Sequence, residues 1–403
     1  MRPVALSLLF VITGLVGRAV LDKLLAATGG IISVAEWAQI SNIADVVMNV
    51  SLSGIGIALT ALSAGHLATN RLALLKPALQ TSLALSSVVA LAGFAWLPLL
   101  GTSLVPSEQQ YLALALIAGL LNVAPGILVA HFLGTGQILR ATMLVALGVL
   151  PPLALLFIAP MAAPTGNLLA GQIIFGGLIL AGLTFTLRSA PSLTKDTFRT
   201  LLRFVPAGLA IGILSPAATA WARAQFASDL SWDAVGQMQS IWRTTDWVTA
   251  VMAGVLNAHF LPRLGRVIGD RPAFEKELWR SGVWTVIPAG IALGLLWLML
   301  PAVLPMLYRD DVGVGRGDAV FFFLGDWLRI MSWVALFALF ARRSAWTISI
   351  GEVLSLPLFA LLLSILHPNQ LRAVGALWLL TYAAYAAFNG IVLACQMRTG
   401  KAK

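Results

Sequence analysis

Long apolar runs without alternation fill the chain, separated by short polar or Gly/Pro-rich breaks. Twelve of them reach the ~20 residues that a helical bilayer crossing needs. They lie at 4–28, 34–64, 75–100, 110–134, 140–160, 166–188, 201–226, 233–260, 281–307, 319–340, 345–366 and 373–396. The breaks carry turn chemistry, as at Gly29-Gly30, Pro106-Ser107, Gly134-Thr135-Gly136 and His367-Pro368-Asn369. Only helices and closed barrels satisfy their backbone in lipid, and runs this long without a period of two read as helices. The expected fold is therefore all-α, a polytopic membrane protein of twelve transmembrane helices. The first run, Pro3 to Gly17 after Arg2, resembles a signal peptide. No small-x-small site precedes Arg18, Asp22 and Lys23, so it reads as an uncleaved first span.

Composition sharpens this picture. Of 403 residues, 59% are hydrophobic and 10% charged, against ~45–50% and ~25% in soluble domains. That excludes a soluble globule, a disordered chain and a nucleic-acid binder. The net charge of +10 is explained by topology. With the N-terminus inside, 18 of the 26 basic residues fall in cytoplasmic segments, and three (Arg309, Arg316 and Arg372) fall in outer loops. This bias places both termini of a multi-pass protein in the cytoplasm. The longest polar connections lie at 189–200 and 261–280. The first divides the chain into an N-terminal lobe, 1–193, and a C-terminal lobe, 194–403, of six spans each. Val34, Glu36, Asp45 and Val47 fall opposite Val235, Gln237, Asp246 and Val248, as in parallel repeats.

The single cysteine, Cys395, excludes a disulfide framework and a cysteine metal site, and reads as a small apolar filler. No phosphate loop, HExxH, nucleophile motif or metal-ligand cluster occurs, so neither an enzyme nor a cofactor is expected. Arg309-Asp310-Asp311 could suggest the acidic pair of a membrane glycosyltransferase, but every outer loop is short. The four histidines sit at span ends, where interfacial residues are common.

The informative residues are ionisable ones inside spans: Arg18, Asp22, Lys23, Asp45, Arg223, Arg243, Asp246, Asp326, Arg329 and Glu352. Each costs at least ~2.5–3.5 kcal/mol at the bilayer centre on insertion scales, so they should face one another or a wet cavity. Arg18/Asp22, Arg243/Asp246 and Asp326/Arg329 have i,i+4 or i,i+3 spacing and can share helix faces. One reading is mutual neutralisation inside the bundle. The other is that Arg18, Lys23, Arg223 and Arg243, on the leading helices of the two halves, line a cavity for an anionic substrate such as a diphosphate. Asp45, Asp246, Asp326, Arg329 and Glu352 are then candidates for ion coupling or gating. Trp242 and Trp247 lie deep in the eighth span and suit sugar rings or lipid contact equally.

Several stretches resemble a known family. They are Lys23-Leu24-Leu25-Ala26, then Ser231 to Gln239 (SWDAVGQMQ) with Phe260-Leu261-Pro262-Arg263-Leu264, and Leu324-Gly325-Asp326-Trp327-Leu328-Arg329 followed by Ala341 to Ser344 and Glu352. In order along the chain, and more strongly in its second half, they resemble Wzx-type flippases. Within these the likeness is to flippases of the lipid III intermediate of enterobacterial common antigen synthesis. That family belongs to the multidrug/oligosaccharidyl-lipid/polysaccharide (MOP) exporter superfamily. The resemblance implies two six-helix lobes forming a V-shaped cavity and an inner-membrane flippase working by alternating access. The substrate it implies is a polyprenyl-diphosphate-linked oligosaccharide, an O-antigen or common-antigen repeat unit of polysaccharide or lipopolysaccharide biosynthesis. Implied partners are that glycan lipid, membrane lipids, and the polymerase and chain-length proteins of glycan assembly. The sequence departs from the family at the end of the fourth span, His131 to Gly136, and in having Arg18 and Asp22, so the sugar could differ. A multidrug antiporter of the same superfamily is the first alternative, and a membrane polysaccharide polymerase or glycosyltransferase the second.

Overall fold

The computed structural model describes all residues except 1, 69, 94–108, 159–163, 189–194, 257–259, 268–269, 309–312, 343–344 and 400–403. Pro106-Ser107, His259, Arg309-Asp310-Asp311, Arg343, Ser344, Lys401 and Lys403 lie outside the described residues. The described chain is almost wholly helical and contains no strand. The helices are α1 (Arg2–Ser51), α2 (Ile57–Ala68), α3 (Leu75–Gly93), α4 (Leu112–Gly134), α5 (Ile138–Ile158), α6 (Pro164–Leu187) and α7 (Lys195–Asp229). There follow α8 (Trp232–Val255), α9 (Leu261–Arg266), α10 (Arg271–Leu307), α11 (Arg316–Ala341), α12 (Ala345–Val353), α13 (Leu356–Leu366) and α14 (Leu371–Thr399).

Eight spans among the described residues are long and apolar enough to cross a membrane. They coincide with the expected third to sixth and ninth to twelfth spans. The other four expected spans fall on α1, α2, α7 and α8, which carry most of the intramembrane charge. The protein is thus a multi-pass helical membrane protein.

Local chemistry explains the breaks. α1 is two helices merged across Gly30, whose φ of 72° and ψ of −171° lie in a region essentially restricted to glycine. A wide π-turn, Leu52–Gly56, joins α1 to α2. Ser231 caps α8 by accepting the Ala234 N–H at 3.2 Å, and Asp270 caps α10 by accepting that of Ala273 at 3.1 Å. The expected continuous span 345–366 is interrupted. Pro357 has no N–H to give a continuous helix but fits the first turn of a new one, so the chain turns at Leu354 and Ser355 and α13 starts at Leu356. The Ser355 hydroxyl donates to the Glu352 carbonyl at 2.6 Å, tying off the end of α12.

Contacts divide the chain into two units. One comprises Val16–Gly29 and Glu36–Ala224. There α4 packs against α2, α3, α5 and α6. The other comprises Met1–Leu15, Gly30–Ala35 and Gln225–Lys403. There α11 lies along α14, and α8 and α10 pack on α11.

Helices in lipid associate through close packing rather than through a hydrophobic force, so small residues decide the approach. A Cβ on Gly119 of α4 would lie 2.5 Å from the Ala44 carbonyl oxygen and 2.8 Å from the Val47 Cβ. Gly119→Val should therefore cost about 1–3 kcal/mol or more through overpacking, seen as a lowered unfolding temperature in detergent. Gly177→Ala, where a Cβ meets nothing within 4 Å, should leave that temperature unchanged.

Candidate functional site

In the unit holding residues 225–403, three helices bring charges together. Arg329 of α11 reaches Asp326 Oδ1, one turn before it, at 3.4 Å. It also lies 3.9 Å from Asp246 Oδ1 of α8. The Asp326 side chain is 1% exposed, that of Arg329 22% and that of Asp246 37%. The knot is therefore sealed at Asp326 and open at Asp246. The Arg329 guanidinium sits 4.9 Å from the Trp333 ring centroid and 5.5 Å from that of Tyr382 on α14. A planar, weakly hydrated cation suits such faces better than an ammonium would.

Glu352 joins this neighbourhood from the broken end of α12. The Tyr385 hydroxyl, one turn beyond Tyr382 on α14, donates to Glu352 Oε1 at 3.0 Å. Glu352 thus has its partner on another helix. Behind the knot lies an aromatic stack. Trp378 sits 4.8 Å from Trp242, 5.0 Å from Phe359 and 4.8 Å from Tyr382, centroid to centroid. Trp242 is 6% exposed and belongs to this packed stack. Trp247, on the same helix, is half-buried, as is Arg243.

The other unit holds Arg18, Lys23, Asp45 and Arg223. Arg18 and Lys23 are exposed, while Asp22 between them is buried. Arg223 of α7 is buried, and its Nη1 donates to the Ala38 carbonyl at 2.7 Å. Gln39 Nε2 returns a bond to the Ala220 carbonyl at 3.0 Å. These bonds fasten α7 to the second half of α1. Asp45 lines a separate cavity of about 270 Å³ with Asn122, Gln172, Pro125 and Phe175.

Of the eleven residues to which the sequence reading gave a binding, coupling or gating role, Asp246, Asp326 and Arg329 form one ion-pair cluster, and Glu352 stands beside it. The sequence reading missed Tyr382, Tyr385 and Trp378. A signal existed for the tyrosines: the chain has four, and two fall three apart on the last span.

No protein-family model matches the chain, and no curated protein matches it. Solved structures do. An inward-facing multidrug resistance MATE family transporter of the MOP superfamily matches with a TM-score of 0.69 at 15% identity, over 99% of this chain and 96% of its own. A MATE in complex with MaL6 matches with a TM-score of 0.68 at 16% identity, over 98% and 97%. A MOP superfamily transporter from Pyrococcus furiosus, described as having a binding pocket of reverse polarity that suggests a different function, matches with a TM-score of 0.65 at 14% identity, over 98% and 96%. The chain has the fold of MATE transporters of the MOP superfamily, and over nearly its whole length.

Proposed function

We propose that this protein is a flippase that moves a polyprenyl-diphosphate-linked oligosaccharide from the inner to the outer leaflet by alternating access. The observation that supports this is the cations kept in its membrane helices. Arg18 and Lys23 are exposed and Arg243 is half-buried. Such residues are costly in lipid and are kept facing protein partners, water or a ligand. A diphosphate meets them with strong acceptor oxygens. In this reading Arg18, Lys23 and Arg243 are the diphosphate contacts, Arg223 fastens α7 to α1, and Trp247 with the Trp242 stack behind it faces the sugars. Asp45, Asp246, Asp326, Arg329 and Glu352 couple or gate the movement. The working division is into lobes 1–193 and 194–403, with both termini in the cytoplasm of a bacterial cell. Tags in the 261–280 loop should accordingly report a cytoplasmic location; an outer location would remove the twelve-span topology.

A second reading has its own support. The knot in the 225–403 unit sets two carboxylates, Asp246 and Asp326, on one arginine, and Glu352 stands beside it on Tyr385. An excess of carboxylate suits a cationic drug, and multidrug transporters are among the structural neighbours. Purified protein in vesicles separates the readings. Lipid-linked oligosaccharide should cross leaflets while a cationic dye should not.

Glu352 offers a test of coupling. Glu352→Gln keeps the oxygen that accepts from Tyr385 and removes the proton-carrying carboxylate. Transport driven by an imposed pH gradient should fall to the level seen without a gradient. A variant that responds as the parent does would move the coupling role to Asp45 or Asp246.

A further inference from the structure

We infer that a groove between α10, α11 and α14 is a binding site for an anionic phospholipid, which lays one acyl chain along it and sets its phosphate on Lys276, Arg280 and Arg398. The groove has a volume of about 540 Å³ and lies within one unit. Its walls are apolar: Trp279, Val283 and Ile287 from α10, Met331 and Val334 from α11, Met397 from α14. Along α10 it runs from Glu275 to Ile287, twelve residues or ~18 Å at the helical rise. Half of the ~30 Å hydrocarbon core is about the same length, so the groove is one leaflet deep. All three helices belong to the spans apolar enough to cross the bilayer.

The two ends of the groove differ in charge. Glu275 is the one ionisable residue among its walls, and Arg271 holds it at 2.8 Å. At the same end lie Lys276, Arg280 and Arg398, all exposed and none in an ion pair among the described residues. Lys276 and Arg280 are one turn apart, on the stripe of α10 that continues to the groove residue Ile287. Arg398 follows the groove residue Met397. Trp279, 76% exposed, stands at this end, where an amphipathic ring marks the level of the headgroups. An apolar slot one leaflet long with three cations at its mouth complements a lipid whose head carries net negative charge. A zwitterionic head answers the slot but not the cations. This inference does not depend on what the protein transports.

Brominated lipids test it, because bromine quenches a tryptophan it touches. The protein is reconstituted with brominated phosphatidylglycerol or brominated phosphatidylcholine, and the signal of Trp279 is taken as the difference from Trp279→Phe. Phosphatidylglycerol should quench Trp279 at the lower mole fraction. Neutralising Lys276, Arg280 and Arg398 to glutamine should erode that preference by roughly fivefold per cation. These three side chains are exposed, so the triple variant should fold normally. Gly282→Leu should fill the groove and abolish the quenching, since a Cβ there meets only Val334 at 3.9 Å. Equal quenching by the two lipids, or an undiminished preference in the triple variant, would show an ordinary lipid annulus and overturn the site. Displacement of phosphatidylglycerol by brominated polyprenyl phosphate at lower mole fraction would overturn it in favour of the substrate's own tail.

Discussion

Arg329→Gln should destabilise the folded protein by about 3 kcal/mol, because it leaves a buried carboxylate uncompensated. Asp326 is 1% exposed and has its charged partner 3.4 Å away. Asp246 loses the same cation from 3.9 Å. The figure stands at the low end for a buried pair because Arg329 is itself 22% exposed. Thermal unfolding in detergent should show the loss. Arg329→Lys should recover only part of it, since a lysine keeps the charge but not the flat contact with Trp333 and Tyr382. Removing the carboxylate as well, in Asp326→Asn/Arg329→Gln, should be less harmful than the single change. Equal losses in the single and double variants would mean that the ion pair carries little of the stability.

The second large effect concerns the cations. Arg18→Glu and Arg243→Glu should each lower export of a lipid-linked glycan by roughly 10- to 100-fold at parental abundance, the range expected for loss of a charged hydrogen-bond partner. Arg18 is exposed and Arg243 half-buried, so both can be reversed with limited damage to packing. Arg223→Glu is a harsher change. It removes the bond to the Ala38 carbonyl and should lower abundance as well as export. Normal export from all three reversals would exclude a diphosphate role for these residues.

The fold was largely legible because lipid imposes a strict code. Length and polarity alone marked the runs, and glycine alone marked the break at Gly30, where the backbone turns to positive φ. The interruption after Glu352 was less legible. Pro357 predicts a weak point, but the turn at Leu354 and Ser355 depends on how α12 and α13 pack. At the site, the i,i+3 spacing of Asp326 and Arg329 predicted their pairing correctly, because a helix fixes that geometry locally. The approach of Asp246 and the Glu352–Tyr385 bond are set by neighbours far along the chain. Spacing within one span carries no record of them. Trp242 shows the same limit. Its depth in a span is visible in the sequence, whereas its place against Trp378 and Phe359 is a matter of tertiary packing.

The central claim is the identity of the cargo, and a leaflet assay tests it most directly. Purified protein is placed in vesicles with a fluorescent polyprenyl-diphosphate-linked oligosaccharide, and a membrane-impermeant reagent reads how much of it reaches the far leaflet. A cationic dye is followed in parallel. The flippase reading predicts transfer of the glycan lipid, loss of that transfer in Arg18→Glu and Arg243→Glu, and no movement of the dye. Dye movement without glycan transfer would contradict it and leave the multidrug antiporter in its place.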